Sequence, residues 1–213
     1  MDSTPQREAV DAAVRQACEA SDPAAATRRV LEAYGPELLG YLVAITHQED
    51  LANEAFSVFC EHLWRGLSGF RWESSLRTWC YVIARNALHT VRRSSRRHRR
   101  LVPLSDAGVA DVAAQLRSTT ALHLKTEVKD AVARLRQKLP AKDQDILVLR
   151  LGRKMSWLDI ARVMHDADAP EPATLKREAA RLRKRFERAK SALKILIREH
   201  GLDLAPDDDR SSG

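Results

Sequence analysis

Residues Phe70–Arg100 read FRWESSLRTWCYVIARNALHTVRRSSRRHRR, and everything else in the chain is interpreted around this stretch. It opens with a short polar loop, Arg71–Ser75. An apolar, aromatic segment follows, Leu76 to about Arg93, with Ser74 or Ser75 placed to cap it as a helix. Trp72, Trp79 and Tyr81 lie close in sequence to Arg71, Arg77 and Arg85. Exposed aromatics stack on unpaired bases while neighbouring arginines hold phosphates, so the pattern suits single-stranded nucleic acid. Six arginines and one histidine then crowd into residues 92–100. Such a block attracts a polyanion strongly and without regard to sequence. The same letters also fit a plainer arrangement, with Trp79, Tyr81 and Ile83 in a core and the arginines on a solvated face. The flanking sequence decides between the two.

Upstream, Gly66 to Gly69 separates this stretch from an amphipathic helix over Gln48–Leu67. Leu51, Ala55, Val58, Phe59, His62 and Leu63 form one face of that helix. Glu49, Asp50, Asn53, Glu54 and Glu61 form the other, which is mostly acidic. Earlier still, Ala24–Thr46 carries Val30, Ala33, Tyr34, Leu38, Leu39, Leu42, Val43 and Ile45 at helical spacing. Asp22-Pro23 is a good helix start, with proline at the first position. Gly35-Pro36 predicts two helices or one bent one. Val10, Ala13, Val14 and Ala17 allow a short helix in an otherwise polar arm. The first half therefore reads as a bundle of three or four helices.

Downstream, residues 94–120 pass from basic through Val102-Pro103-Leu104-Ser105-Asp106-Ala107-Gly108 to small residues of weak periodicity. This reads as a linker with a short helix at 109–117. Leu124, Val128, Ala131, Val132 and Leu135 then predict a helix ending before Pro140, and Ala141–Leu151 predicts another. Ser156 caps a short helix, with Asp159 placed as in a capping box. His165–Pro172 is a turn. Thr174–Glu199 is a long basic helix with Leu175, Ala179, Leu182, Phe186, Ala189 and Leu193 facing inward. A short helix, a turn and a basic helix make the helix-turn-helix pattern, whose second helix enters the major groove; an ordinary helical hairpin has the same outline.

The 213 residues carry a net charge of +7, and the pI is about 9.6. An anionic partner fits that balance. Cys18, Cys60 and Cys80 are odd in number and share no metal-ligand spacing, so reduced thiols are expected rather than a disulfide framework. No apolar run approaches the length of a membrane span, and the first residues lack the basic start and apolar core of a signal peptide, so a cytoplasmic protein is expected. No P-loop, carboxylate cluster or Cys/His ligand set stands in the sequence. Neither catalysis, a metal nor a cofactor is therefore expected.

Two segments resemble one family in the right order. DLANEAFSVFCEHLWRGLSGFRWESSLRTWCYVIARNALHTVRR is similar to region 2 of bacterial RNA polymerase sigma factors, nearest the small extracytoplasmic-function (ECF) group. LPAKDQDILVLRLGRKMSWLDIARVM followed by ATLKREAARLRKRFERA resembles region 4. The contiguous run FR-x-ESSLRTW-x-Y-x-IARN is the most specific part. The resemblance implies an all-α protein of two helical domains joined by a flexible linker. The expected division is an arm over 1–23, a region 2 domain over 24–97, a linker over 98–124, a region 4 domain over 125–200 and an acidic tail over 201–213.

The resemblance also implies partners and residues. Core polymerase would dock on the helix carrying Asp50, Glu54, Phe56 and Trp64; Phe59 and Leu63 of that helix are expected to pack inside. The promoter −10 element would be melted, and a base captured, by Trp72, Glu73, Ser74 and Ser75. Arg77, Tyr81, Arg85, Asn86, His89, Arg92 and Arg93 of the next helix would face it, with Trp79 and Ile83 expected in the core. The −35 element would be read by Thr174, Lys176, Arg177, Glu178, Arg181 and Arg185. Glu178 accepts from a cytosine or pairs with Arg181 on this reading. Family members are commonly held by an anti-sigma factor, which joins core RNA polymerase and promoter DNA among the candidate partners. The turn His165–Ala173 is longer than the family's usual one and carries Pro170 and Pro172. The competing readings are a free-standing helix-turn-helix regulator with a sensor or dimerisation bundle, and a nucleic-acid-processing enzyme. A sensor bundle has no use for the aromatic, arginine-flanked loop at 72–77.

Overall fold

The computed structural model describes residues 4–94, 107–123, 127–165 and 170–201. The arginines at 96–100, part of the turn after His165 and the acidic tail from 202 lie outside the described residues. What is described is helical throughout, with short turns.

Helix α1, Thr4–Glu19, is longer than the sequence suggested. It buries Val14 and Ala17 against the next helix and so belongs to the bundle. Helix α2, Pro23–Thr46, is capped as expected, with the Asp22 carboxylate accepting from the Ala25 N–H at 2.9 Å. It runs unbroken through Gly35-Pro36. Pro36 lies inside this one helix at an exposed position, so the two separate helices allowed by the sequence are not formed. Gly35 is buried, and a methyl group there would overlap Leu116 Cδ1. Helix α2 ends at His47, whose left-handed backbone (φ 56°) lets its N–H close onto Val43.

Helix α3, Glu49–Gly66, has Glu49 and Asp50 in its first turn, where carboxylates favour the positive end of the helix dipole. A 3₁₀ turn over Leu67–Gly69 follows. Helix α4, Leu76–Ser94, starts where Ser75 Oγ accepts from the Thr78 N–H at 3.1 Å, which settles the cap on Ser75. Leu31, Leu38, Leu42, Phe56, Phe59, Leu63, Leu76 and Leu88 fill the space between α2, α3 and α4.

The segment read as a linker carries helix α5, Ala107–His123, well beyond the predicted 109–117. It packs on α2 and α3 with Val109 and Ala113 fully buried, and Arg117 Nη1 donates to Ser57 Oγ at 2.9 Å. Its small side chains allow close approach at Gly35 but leave little amphipathic signal.

The second half contains α6 (Glu127–Arg136), α7 (Ala141–Leu147), α8 (Trp157–Met164) and α9 (Pro172–Glu199). The predicted helix to Leu151 instead widens into a π turn over Val148–Gly152. That turn leads to Lys154, with φ 51°, and on to the Ser156 cap of α8. Helices α8 and α9 join through Ile160, Val163, Met164, Leu175, Leu182 and Phe186, with Trp157 set edge-on to Phe186 at 5.3 Å.

Burial pushes the Cys60 thiol up to about 12 and raises Cys80 as well, so neither forms a thiolate near neutral pH. With a thiol reagent at pH 8, only the partly exposed Cys18 should react in the native protein, and Cys60 and Cys80 only after denaturation. Rapid labelling of Cys60 or Cys80 in the native state would show that α3 and α4 do not pack as described.

Candidate nucleic-acid and polymerase interfaces

Between the 3₁₀ turn and α4, the chain builds a ladder of rings. Phe70 stacks on Trp79 at 4.6 Å and 25°, and meets Trp72 at 4.8 Å. The Arg15 guanidinium of α1 lies 4.0 Å from the Trp72 ring centre. Trp72 has φ 58°, a backbone conformation that a bulky side chain adopts only when its surroundings hold it. Phe70, Trp72 and Trp79 are all half-buried, so the ladder presents its rim to solvent. Glu73 pairs with Arg71 at 3.2 Å; both are exposed. Ser74 Oγ donates to the Ser75 carbonyl at 3.3 Å, which stiffens the turn.

Helix α4 divides into two faces. One is partly open and carries Trp79, Val82, Ile83, Asn86, His89 and Arg93, of which Asn86 and Arg93 are exposed. The other, with Arg77, Thr78, Tyr81 and Arg85, lies against α2 and the second half. Arg77 is 5% exposed. Its Nε and Nη2 donate to the two Glu37 carboxylate oxygens at 2.7 and 2.9 Å, and Nη2 also donates to the Arg153 carbonyl at 3.0 Å. Arg85 stands 3.8 Å from the Asp145 carboxylate, whose pKa is raised by burial and pulled back by Arg85 and Arg92. Tyr81 is fully buried, edge-on to Tyr41 at 5.1 Å.

On α3, Asp50 is exposed, and Glu54, Glu61 and Trp64 are half-buried. Positions 50, 54, 57, 61 and 64 recur at helical spacing and make one acidic strip with an aromatic at its end. Arg117 of α5 reaches Ser57 in the middle of that strip. On α9, Lys176, Arg177 and Arg181 are exposed. Arg177 Nη2 donates to Thr174 Oγ1 at 3.2 Å, Glu178 lies 3.8 Å from His165, and Arg185 is held by Asp143 of α7.

Residues 30–98 match the Sigma-70 region 2 family. The chain is 31% identical over 140 residues to the RNA polymerase sigma-H factor of Pseudomonas aeruginosa, covering 62% of this chain and 70% of that protein. It is 27% identical over 164 residues to the RNA polymerase sigma factor YlaC of Bacillus subtilis, covering 76% and 92%. No solved structure matches.

The chain belongs to the RNA polymerase sigma factors. Its motif run places it in the ECF group of that family. A free-standing regulator is not favoured. Among the described residues of this sigma factor, no His, Cys, Asp or Glu grouping could hold a metal ion, and no helix is long and apolar enough to cross a membrane.

Several expected site residues of the sigma factor need correction. Phe56 is fully buried and packs inside α3, so its side chain is not available as a surface contact. Tyr81 and Arg77, expected to face the −10 element, are likewise turned inward, Tyr81 onto Tyr41 and Arg77 onto Glu37. Trp79 and Ile83, expected inside, are half-buried and pack against the core from its edge. Glu178 faces His165, where a pair with Arg181 was one reading. Two participants were missed. Arg15 belongs to an arm that shows only weak periodicity, and Glu37 lies forty positions from its partner Arg77, so neither had a local signal.

Arg77→Ala should destabilise the protein by about 3 kcal/mol, because it leaves the Glu37 carboxylate without its bidentate partner. Arg77→Lys should recover only part of this, since an ammonium cannot reproduce the planar fork. Chemical denaturation of the three proteins measures both effects, and equal stability of wild type and Arg77→Ala would contradict the geometry.

Proposed function

We propose that this sigma factor binds core RNA polymerase through the outer face of α3, melts the −10 element with the loop Trp72–Ser75 and helix α4, and reads the −35 element with α9. It works as two helical units, one built from α1–α5 and the other from α6–α9, in the cytoplasm. It catalyses no reaction of its own and is open to restraint by an anti-sigma partner. Asp50, Glu54 and Trp64 form the polymerase contact. An acidic rim beside an aromatic anchor is the usual composition of such a docking face.

The observation that carries the −10 reading is the Arg15–Trp72–Phe70–Trp79 ladder. Opening duplex DNA without ATP requires binding energy to offset a few kcal/mol of unstacking. Stacking on an aromatic returns about 1–3 kcal/mol per base, which is of the right size. A strained, pre-positioned Trp72 spends less of that gain on ordering the loop. Asn86 and Arg93 continue the same surface along α4, so a strand leaving Trp72 would meet a polar side chain and then a cation. Lys176, Arg177 and Arg181 on α9 are free of the brace that holds Arg185, and they suit phosphate or guanine contacts in the major groove.

Tagged wild-type protein should co-purify with bacterial core polymerase, and the double change Asp50→Arg, Glu54→Arg should abolish this while leaving the circular dichroism spectrum unchanged. Retained binding by the double variant would move the contact off α3. Within the polymerase complex, Trp72→Ala should reduce affinity for a fork-junction DNA with an unpaired strand by roughly tenfold and leave fully duplex DNA nearly unaffected. An equal loss on both would reject the stacking role.

A further inference from the structure

The cations that the loop at 70–77 brings with it are already engaged. Arg71 is paired with Glu73 at 3.2 Å, and the buried Arg77 is held by Glu37. A strand stacked on this loop carries a phosphate for every base, and that charge needs a partner. The guanidinium that lies on the loop's outer ring comes from a different helix. Arg15 of α1 is exposed and stands 4.0 Å from the Trp72 ring centre. No described residue accepts a hydrogen bond from it, and no described carboxylate is in ion-pair contact with it. Asp11, one turn earlier on α1, feels its charge only through space: burial raises the Asp11 pKa, and Arg15 pulls it back.

A guanidinium stacked on an indole uses its flat face, so the N–H groups around its edge stay directed outward. The root of this side chain is fixed, because Val14 and Ala17 on either side of it are buried against α2. The head is exposed. We propose that Arg15 is a positioning residue of the −10 site, supplied from α1, which binds the backbone phosphate of the nucleotide captured at Trp72. The proposal rests on the −10 reading given above. In the free protein the guanidinium covers the indole and helps to hold Trp72 in its left-handed conformation, φ 58°. Stacking of a base on an aromatic is stronger than cation–π pairing at an exposed site. An arriving base therefore takes the ring face, and the guanidinium moves from the ring to the phosphate beside it. The exchange leaves the cation at the site, where it meets the negative charge that the strand brings in. Helix α1, which reads as an arm in the sequence, thereby forms part of the DNA surface.

The test uses the full chain bound to core polymerase and two DNA probes that lack a −35 element. One is a fork junction with an unpaired −10 strand, and the other is the same sequence as closed duplex. Affinity is measured over a series of salt concentrations. Arg15→Ala, at an exposed helical position where folding is not at risk, should weaken fork-junction binding roughly fivefold and reduce the slope of log affinity against log salt by about 0.7, as for one phosphate contact on a single strand. Arg15→Lys should keep the slope and recover only part of the affinity, because an ammonium does not lie flat on an indole. Lys194→Ala, which removes one exposed charge from α9, is the charge-matched control and should change neither quantity. A wild-type slope in Arg15→Ala would overturn the inference, since a residue that only props Trp72 loses affinity without altering the salt dependence. An equal loss on the closed duplex would also overturn it, by showing general attraction to DNA. Trp72→Ala on the same probes separates the two failures. If it weakens the fork selectively while Arg15→Ala leaves the slope unchanged, the −10 reading stands and the role of Arg15 falls. If it weakens both probes equally, both fall.

Discussion

The Arg77 guanidinium is the constraint on which the rest of the structure turns. It is almost wholly buried, and a buried cation must have its donors matched. Two go to Glu37 on α2 and one to the carbonyl of Arg153 beyond the π turn. One side chain on α4 thereby fixes the register of α4 against α2 and the approach of the second half. The ordering of α4 in turn fixes where the loop 70–75 begins, and so where Trp72 is held.

That arrangement makes chemical sense for a protein that separates DNA strands without consuming a nucleotide. Such a protein needs a platform that is in place before the strand arrives, because energy spent on ordering side chains is lost to melting. Phe70 stacks on Trp79, and Trp72 is placed beside that pair by its backbone and by Arg15. The polymerase contact proposed for α3 lies on a different helix from the DNA contacts, so the two partners do not compete for the same side chains. Arg117 of α5 touches the α3 strip at Ser57, which brings the segment between the halves next to that contact.

Much of this was legible in the sequence. The helices α2, α3, α4 and α9 follow from apolar spacing, and the Ser75 and Ser156 caps follow from side-chain chemistry. The loop at 70–75 stood out through its aromatics and arginines. Other features depend on partners distant in the chain and left no local trace. Helix α5 was short in the sequence reading because Ala107–His123 is rich in small residues, and its burial depends on Gly35. Pro36 did not end α2, whose apolar residues on both sides of it pack into one core. The apolar run through Leu151 gave no sign of the π turn. The assignment of Phe56 and Tyr81 to the wrong sides of their helices has one cause: a period shows that a helix has faces, while only its neighbours decide which face is covered.

The central claim is that this chain directs polymerase to start sites. Transcription of fragmented genomic DNA by core polymerase, with and without the protein, followed by mapping of RNA 5′ ends, tests it most directly. The account predicts discrete starts that require the protein and share sequence elements near −10 and −35. Protein bound to core polymerase with no protein-dependent starts would contradict it.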